Sequence, residues 1–462
     1  MAAGRRCAAL AGAVLLAAAG TLISPPTAGA IRPPVVEPGP PPTGPVAPLQ
    51  PTDLKAICGI PTGVLPATDF GKRTSADAML DYRSAWRFST GAGQKVAVID
   101  TGVNRHPRLR ALEPGGDYVS NTDGLQDCDA HGTLVAGIIA AAPSPDDSFA
   151  GVAPDAAILS IRQNSAAYDL AGFGANTNDD PNATSTGYGN TQTLALAIAR
   201  AVDLGATVIN LSEVACAPVA AGLDDAAVGR AVRYAFERNV VVVAAAGNFN
   251  TQSMCNAQNE MTDPNQPLDR AWETVGTIAS PAWFNDYVLT VGAVTTTAAP
   301  AEFSLHGPWV GLAAPGERIT SLDPSGPGLI NAQLGQQGLV PLNGTSFAAP
   351  FVSGVVALIR SRFPELTAGQ VIDLIKRTAR TPGEGPNPAT GYGVVDPVAA
   401  LTHQLAPANS GPRSDAGTPI SGPPQPDPGN VRARTIVFGI TALSVALMAG
   451  AAALATARRR GR

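Results

Sequence analysis

The 462-residue chain lacks a cationic face: 31 Lys and Arg stand against 36 Asp and Glu, the formal net charge is −5, and no basic patch is evident. That balance gives no support for nucleic-acid binding. A second Asp-Thr-Gly or Asp-Ser-Gly is also missing. The single copy, Asp100-Thr101-Gly102, cannot supply within one chain the two carboxylates that share a proton in aspartic-protease chemistry. A one-motif chain of that kind would have to be a small homodimer, against the α/β pattern described below. Calcium-loop spacing is absent too. The cluster Asn178-Asp179-Asp180, in the Asn-, Asp- and Gly-rich stretch 163–190, reads as a solvated surface loop. Cysteine is scarce, with five in the chain.

What is present is a set of short segments that fit together chemically. Val98-Ile99-Asp100-Thr101-Gly102, His131-Gly132-Thr133 and Gly344-Thr345-Ser346-Phe347-Ala348-Ala349-Pro350 supply Asp, His and Ser in the chain order of subtilisin-type hydrolases. A serine hydroxyl is a weak nucleophile at neutral pH and needs a base within hydrogen-bond reach. His131 suits that task, and later the protonation of a leaving amine. Asp100 suits fixing the imidazole tautomer and stabilising the imidazolium. Ser346 falls at the start of an apolar helix, where its backbone N–H is free to meet an oxyanion. Pro350 removes a donor, at reduced cost if it lies within the first turns. The run Val240–Ala246 followed by Gly247-Asn248 reads as a buried strand ending in a turn, with Asn248 as side-chain oxyanion donor. Singly, each residue has a plainer reading: a strand-end turn for Asp100, a helix terminus for His131, an N-cap for Ser346, a loop for Asn248-Phe249-Asn250. All four in this order and setting point to a serine protease, with no cofactor and no metal.

The ends of the chain specify location. Arg5 and Arg6, an apolar run from Ala8 to Ala19 and Ala28-Gly29-Ala30 make residues 1–30 a secretory signal whose removal takes Cys7 with it. Residues 31–91 form an extension, proline-dense to about Asp53, that leads into the catalytic domain at 92–403. A Pro/Gly-rich tether follows at 404–434. Residues 435–457, uncharged from Ile436 to Ala457, exceed the ~20 residues that cross a bilayer. Arg458-Arg459-Arg460-Gly461-Arg462 then reads as a cytoplasmic tail. This pattern is that of a single-pass type I protein of the cell membrane with its catalytic domain outside the cytoplasm.

Strands are expected at 95–100, 157–162, 207–211, 240–246 and 287–294. Helices are expected at 76–88, 131–140, 191–204, 225–237, 346–363 and 367–378. Their alternation predicts an α/β domain with a mostly parallel sheet and helices on both faces. Four cysteines remain after signal removal: Cys58, Cys128, Cys216 and Cys255. An even number in an exported protein suggests two disulfides. Cys216 and Cys255 both follow the carboxyl ends of neighbouring strands, which pairs them and leaves Cys58 with Cys128. A zinc site using Cys128 and His131 would disable the base. The Asn-x-Thr/Ser triplets at Asn182, Asn210 and Asn343 carry little weight, since Asn210 lies in a core strand and Asn343 adjoins Ser346.

Nearly the whole chain resembles the mycosins, membrane-anchored subtilases of mycobacterial type VII (ESX) secretion systems. Beyond the triad motifs, the resemblance rests on Asp127-Cys128-Asp129-Ala130-His131-Gly132-Thr133, Asp180-Pro181-Asn182-Ala183-Thr184, His306-Gly307-Pro308-Trp309-Val310, the Pro-rich extension and the C-terminal span with its short basic tail. It implies a subtilisin-like three-layer fold, an extracytoplasmic protease acting on proteins exported by the secretion system, and association with ESX membrane-complex components. It also implies an extension that stays wrapped on the domain. Where secreted subtilisins carry a Gly-rich edge that pairs with substrate, this chain has Ser212-Glu213-Val214-Ala215-Cys216, which implies a restricted cleft. Two functions follow: a processing endopeptidase, or a structural component of the membrane complex with secondary protease activity. Protease added to intact spheroplasts should shave off the catalytic body; protection of the body until lysis would reverse the topology.

Overall fold

In the computed structural model, residues 31–403 are described, apart from 61, 173–179, 181, 185, 252, 261–267 and 384. The signal sequence, tether, membrane span and basic tail expected from the sequence lie outside the described residues, as do Asn178, Asp179 and Pro181. Among the described residues no helix is long and apolar enough to cross a membrane.

Seven strands form the central sheet: β1 (Lys95–Asp100), β2 (Leu112–Asp117), β3 (Ala157–Arg162), β4 (Val208–Leu211), β5 (Val241–Ala245), β6 (Val288–Val294) and β7 (Val310–Pro315). All pairs are parallel, in the order β7-β6-β5-β4-β1-β3-β2. Strand sequences such as Val-Val-Val-Ala-Ala are continuous apolar runs because both faces are covered. In β1, Val96 and Val98 join one apolar cluster while Ala97 and Ile99 join another. The first cluster holds α1 (His131–Ala140) through Leu134, Ile138 and Ile139, and the long α4 (Thr345–Arg362) through Val352, Val355 and Ile359. The second holds α2 (Thr191–Asp203) through Leu194 and Ile198, and α3 (Ala226–Glu237) through Val228 and Val232. Helix, sheet and helix thus make three layers. Reciprocal capping boxes start α2 (Asn190 with Thr193) and α5 (Ala368–Arg377; Thr367 with Gln370). The chain leaves β1 toward one edge of the sheet and later fills the other side from β4 onward. Asp100 therefore ends a strand next to the reversal of strand order, where such sheets offer a crevice.

Several elements differ from the sequence reading. The helix expected at 76–88 is two short helices, Ser75–Leu80 and Tyr82–Ala85. Asp81 separates them in the left-handed region at φ 48°, which aspartate tolerates better than most residues, and Arg73 holds its carboxylate at 2.9 Å. Strands β2 and β7 were not expected. Leu-Glu-Pro-Gly-Gly-Asp has no strand-like composition. It pairs with β3 through a register shift between Pro114 and Gly116. Helix α4 begins at Thr345, one residue before the expected start.

The extension lies along the domain. Thr52–Leu54 pairs antiparallel with Tyr168–Leu170, and Thr62–Gly63 adds a strand to the hairpin 332–341. The Tyr188 hydroxyl accepts from the Leu49 N–H at 2.8 Å, and Asn331 Oδ1 accepts from the Leu65 N–H at 2.8 Å. Between these points Cys58 is bonded to Cys128, while Cys216 is bonded to Cys255. The first bond spans 70 residues. Opening it in a Cys58→Ser, Cys128→Ala protein should lower unfolding stability by roughly 4 kcal/mol in the chain-entropy estimate. Urea unfolding of the mature protein measures this, and an unchanged midpoint would show that the strap is held without the bond.

Candidate active site

Two glycines bring β1 and α1 into contact. Gly102 follows Asp100 and Thr101 and has φ +99°, and a Cβ there would sit 2.3 Å from the Gln126 carbonyl oxygen. Gly132 follows His131, and a Cβ on it would sit 2.0 Å from the Gly102 carbonyl oxygen. Only bare backbone lets the two turns approach this closely. Hydrogen bonds then lock them. The Thr101 hydroxyl accepts from the Gly132 N–H at 2.9 Å and donates to Asp127 Oδ1 at 2.9 Å. Asp127 Oδ2 accepts from the Thr133 N–H at 2.9 Å and the Thr133 hydroxyl at 2.6 Å. Burial pushes the Asp127 carboxyl up to about 6 against the opposing pull of these bonds.

His131 is the first residue of α1, after Ala130 in the left-handed region at φ 64°. Its Nδ1 lies 2.8 Å from Asp100 Oδ1, and Asp100 is fully buried. That contact places the proton of the neutral ring on Nδ1 and leaves Nε2 as the basic nitrogen. Asp100 Oδ1 is itself held by the Thr101 N–H at 2.8 Å. Burial opposes the charged ring, yet Asp100, with Glu213 behind it, outweighs burial and holds His131 above the ordinary histidine range. Glu213 Oε1 is 3.5 Å from Nδ1. The Phe347 ring packs on the imidazole with centroids 5.2 Å apart, which brings the start of α4 against His131.

Ser346 is the second residue of α4 and is 7 % exposed. Asn248 Oδ1 accepts from the Thr345 N–H at 2.9 Å and the Thr345 hydroxyl at 3.0 Å. A backbone N–H can only donate, so the Asn248 amide is oriented with Nδ2 as its outward donor. The Phe347 N–H bonds the Gly344 carbonyl at 3.2 Å. Among the described residues no acceptor meets the Ser346 N–H. A Cβ on Gly344 would be 2.9 Å from Ser346 Oγ and 3.5 Å from Asn248 Nδ2, so the bare face of Gly344 lies beside both groups.

Pro350 is the sixth residue of α4, in its second turn. Its missing N–H would have bonded the Ser346 carbonyl. That carbonyl instead accepts from the Ser212 hydroxyl at 2.9 Å. Ser212 is tied through Asn210 Nδ2 at 2.8 Å, and Asn210 Oδ1 accepts from the Ser353 hydroxyl at 2.8 Å. Asn210 is fully buried, so its triplet is no acceptor for a glycan in the folded protein.

The structure brings Asp100, His131, Ser346 and Asn248 to one place at the carboxyl ends of the strands. The arrangement suits acyl transfer: a serine at a helix start, a ring with an oriented base nitrogen, and two N–H donors beside the serine. Cys128 is bonded to Cys58 and has no thiolate to offer a metal. Sequence reasoning passed over Thr101, Asp127, Thr133 and Ser212. The signal for the first three was the hydroxyl on each side of the Asp and His motifs, with an acid four residues ahead of His131.

Residues 91–393 match the family described as Subtilase family. The chain is 47 % identical over 457 residues to Mycosin-1 of Mycolicibacterium smegmatis, covering 97 % of this chain and 98 % of the relative. The crystal structure of MycP1 from Mycobacterium smegmatis superposes with a TM-score of 0.75 at 47 % identity, covering 81 % of this chain and 96 % of that one. A chain in the intact ESX-5 inner membrane complex superposes with a TM-score of 0.75 at 43 % identity, covering 92 % of this chain and 100 % of that one.

Gly344 has an extended backbone that alanine adopts freely. Gly344→Ala should therefore fold, displace Ser346 Oγ, and slow labelling by a fluorophosphonate probe by about a hundredfold. An unchanged labelling rate in a folded variant would show that the space beside Gly344 is not used.

Proposed function

The chain belongs to the mycosins, serine endopeptidases of the subtilase family, and from that membership we propose that Ser346 is its nucleophile, His131 its base and acid, and Asp100 the carboxylate that orients His131. The Ser346 hydroxyl adds to the scissile carbonyl as its proton passes to His131 Nε2. The resulting oxyanion is met by Asn248 Nδ2 and the Ser346 N–H. His131 returns the proton to the leaving amine, and the acyl ester is then hydrolysed by water activated at the same nitrogen. The observation that carries this reading is the 2.8 Å contact between His131 Nδ1 and the buried Asp100, with Phe347 tying the ring to the helix that bears Ser346.

The same proposal extends to place and partners. The uncharged stretch 436–457 and the arginines after it support a single membrane span with the catalytic domain outside the cytoplasm. Its substrates are proteins exported by a type VII (ESX) system, and its partners are components of that system's membrane complex. Residues 31–91 act as a retained strap on the catalytic domain rather than a removable inhibitor. A second reading, a stabilising component of the complex with secondary proteolysis, is favoured by the likeness to a chain of the ESX-5 inner membrane complex.

A fluorophosphonate probe should label the wild type and leave Ser346→Ala unlabelled, and equal labelling would remove Ser346 from its role. Asn248→Ala should slow the reaction by about 10²- to 10³-fold. Complementation of a deletion strain separates the two readings. Rescue by the wild type alone means that proteolysis is required, whereas rescue by Ser346→Ala as well means that the structural role suffices.

A further inference from the structure

Glu213 is an acidic group at this site that the reaction does not use. It follows Ser212 in the connection from β4 to the strand Ala215–Pro218, at the edge where secreted subtilisins carry glycines. Its side chain is 25 % exposed and its Oε1 lies 3.5 Å from His131 Nδ1, the nitrogen that also faces Asp100. Among the described residues, this ring is the only cationic partner Glu213 has within ion-pair distance.

The neighbouring acids are held quite differently. Asp127 is satisfied by Thr101, Thr133 and the Asp129 N–H at 3.1 Å. Asp129 accepts from the Ser165 hydroxyl at 2.5 Å and the Ala166 N–H at 3.0 Å. Both carboxylates are spoken for by neutral donors. Among the described residues Glu213 has no such donor, and the protein group placed to stabilise its charge is the imidazolium.

We propose that Glu213 is a second carboxylate partner of His131, a positioning residue that favours the protonated ring and so sets the pH above which His131 can act as a base. The inference rests on His131 being the base of the reaction. Two carboxylates on one imidazole stabilise its charged form more than one does, and a protonated imidazole cannot accept the serine proton. The groups facing the pair are Asp100 from the end of β1 and Asp127 and Asp129 from the turn before α1, with Arg162 of β3 offsetting Asp129. Burial and the surrounding acids raise the Glu213 carboxyl, while His131 pulls it down. The two therefore titrate as a pair, and removing the acid lowers the pH at which the ring gives up its proton.

The test needs no knowledge of the natural substrate. The rate of fluorophosphonate labelling of the full chain is measured against pH for the wild type, Glu213→Gln and Glu213→Asp. The midpoint of the acid limb should fall by about one pH unit or more in Glu213→Gln. Below the wild-type midpoint that corresponds to roughly tenfold faster labelling per unit. Glu213→Asp, which draws the charge back by one methylene, should fall part of the way, and it carries the test if thermal melting shows that the glutamine protein does not fold. Coincident midpoints in folded, labelled proteins overturn the role of Glu213 and leave His131 as base. A wild type that is not labelled at any pH overturns both.

Discussion

The contact between the backbones of Gly102 and Gly132 is the constraint on which the site depends. The carbonyl of one occupies the space where the other would carry a side chain. This closeness lets the end of β1 and the start of α1 share a single hydroxyl, Thr101, and a single carboxylate, Asp127. The distance from Asp100 to His131 is therefore fixed by main chain rather than by long flexible side chains. On the other side of the cleft, the Thr345 N–H and hydroxyl fix the Asn248 amide, and a proline-freed carbonyl fixes Ser212. Asp100, His131 and Asn248 are thus each held by a neighbour that is itself held, which is what a site needs to meet a developing charge without reorganising.

The electrostatic character of the site follows from the same crowding. Four acids, Asp100, Asp127, Asp129 and Glu213, lie around one histidine. Burying them would be costly without partners. Backbone N–H groups and hydroxyls supply those partners for three of them: the Thr101 N–H for Asp100, Thr101 and Thr133 for Asp127, and Ser165 and Ala166 for Asp129. The ring is left with more negative charge around it than orientation alone requires.

Much of this was legible in the sequence, for definable reasons. The strands of the sheet interior announced themselves as unbroken apolar runs, and the helices through their caps and periodicity. Asp100, His131 and Ser346 each sit at an element boundary marked by glycine or threonine. Strand β2 was not legible because an edge strand built from Leu-Glu-Pro-Gly-Gly-Asp makes few demands on composition. Its Gly115 is instead required by the closeness of Ile161 and the Ser160 carbonyl, a tertiary reason. The break at Asp81 and the Ser212 hydroxyl that takes up the carbonyl freed by Pro350 were illegible because one depends on a backbone angle and the other on a partner far away. Glu213 was noticed as a departure from the Gly-rich edge of secreted subtilisins, but its approach to His131 exists only once β4 lies beside β1.

The strap made by the extension has a consequence for the order in which the molecule is made. Leu65 bonds Asn331, 266 residues away, and Gly63 pairs with Ala332 in a hairpin close to the end of the domain. A chain that emerges N-terminus first presents this strap before anything exists for it to grip. The loop to be closed is among the longest the domain contains, and its entropy must be lost before the contacts that repay it form. Residues 62–65, though they emerge early, are therefore among the last to be seated. Until the hairpin 332–341 arrives, the extension can be held only at its upstream anchors, Tyr168–Leu170, Tyr188 and Cys128, and the stretch around Gly63 and Leu65 waits without its partners.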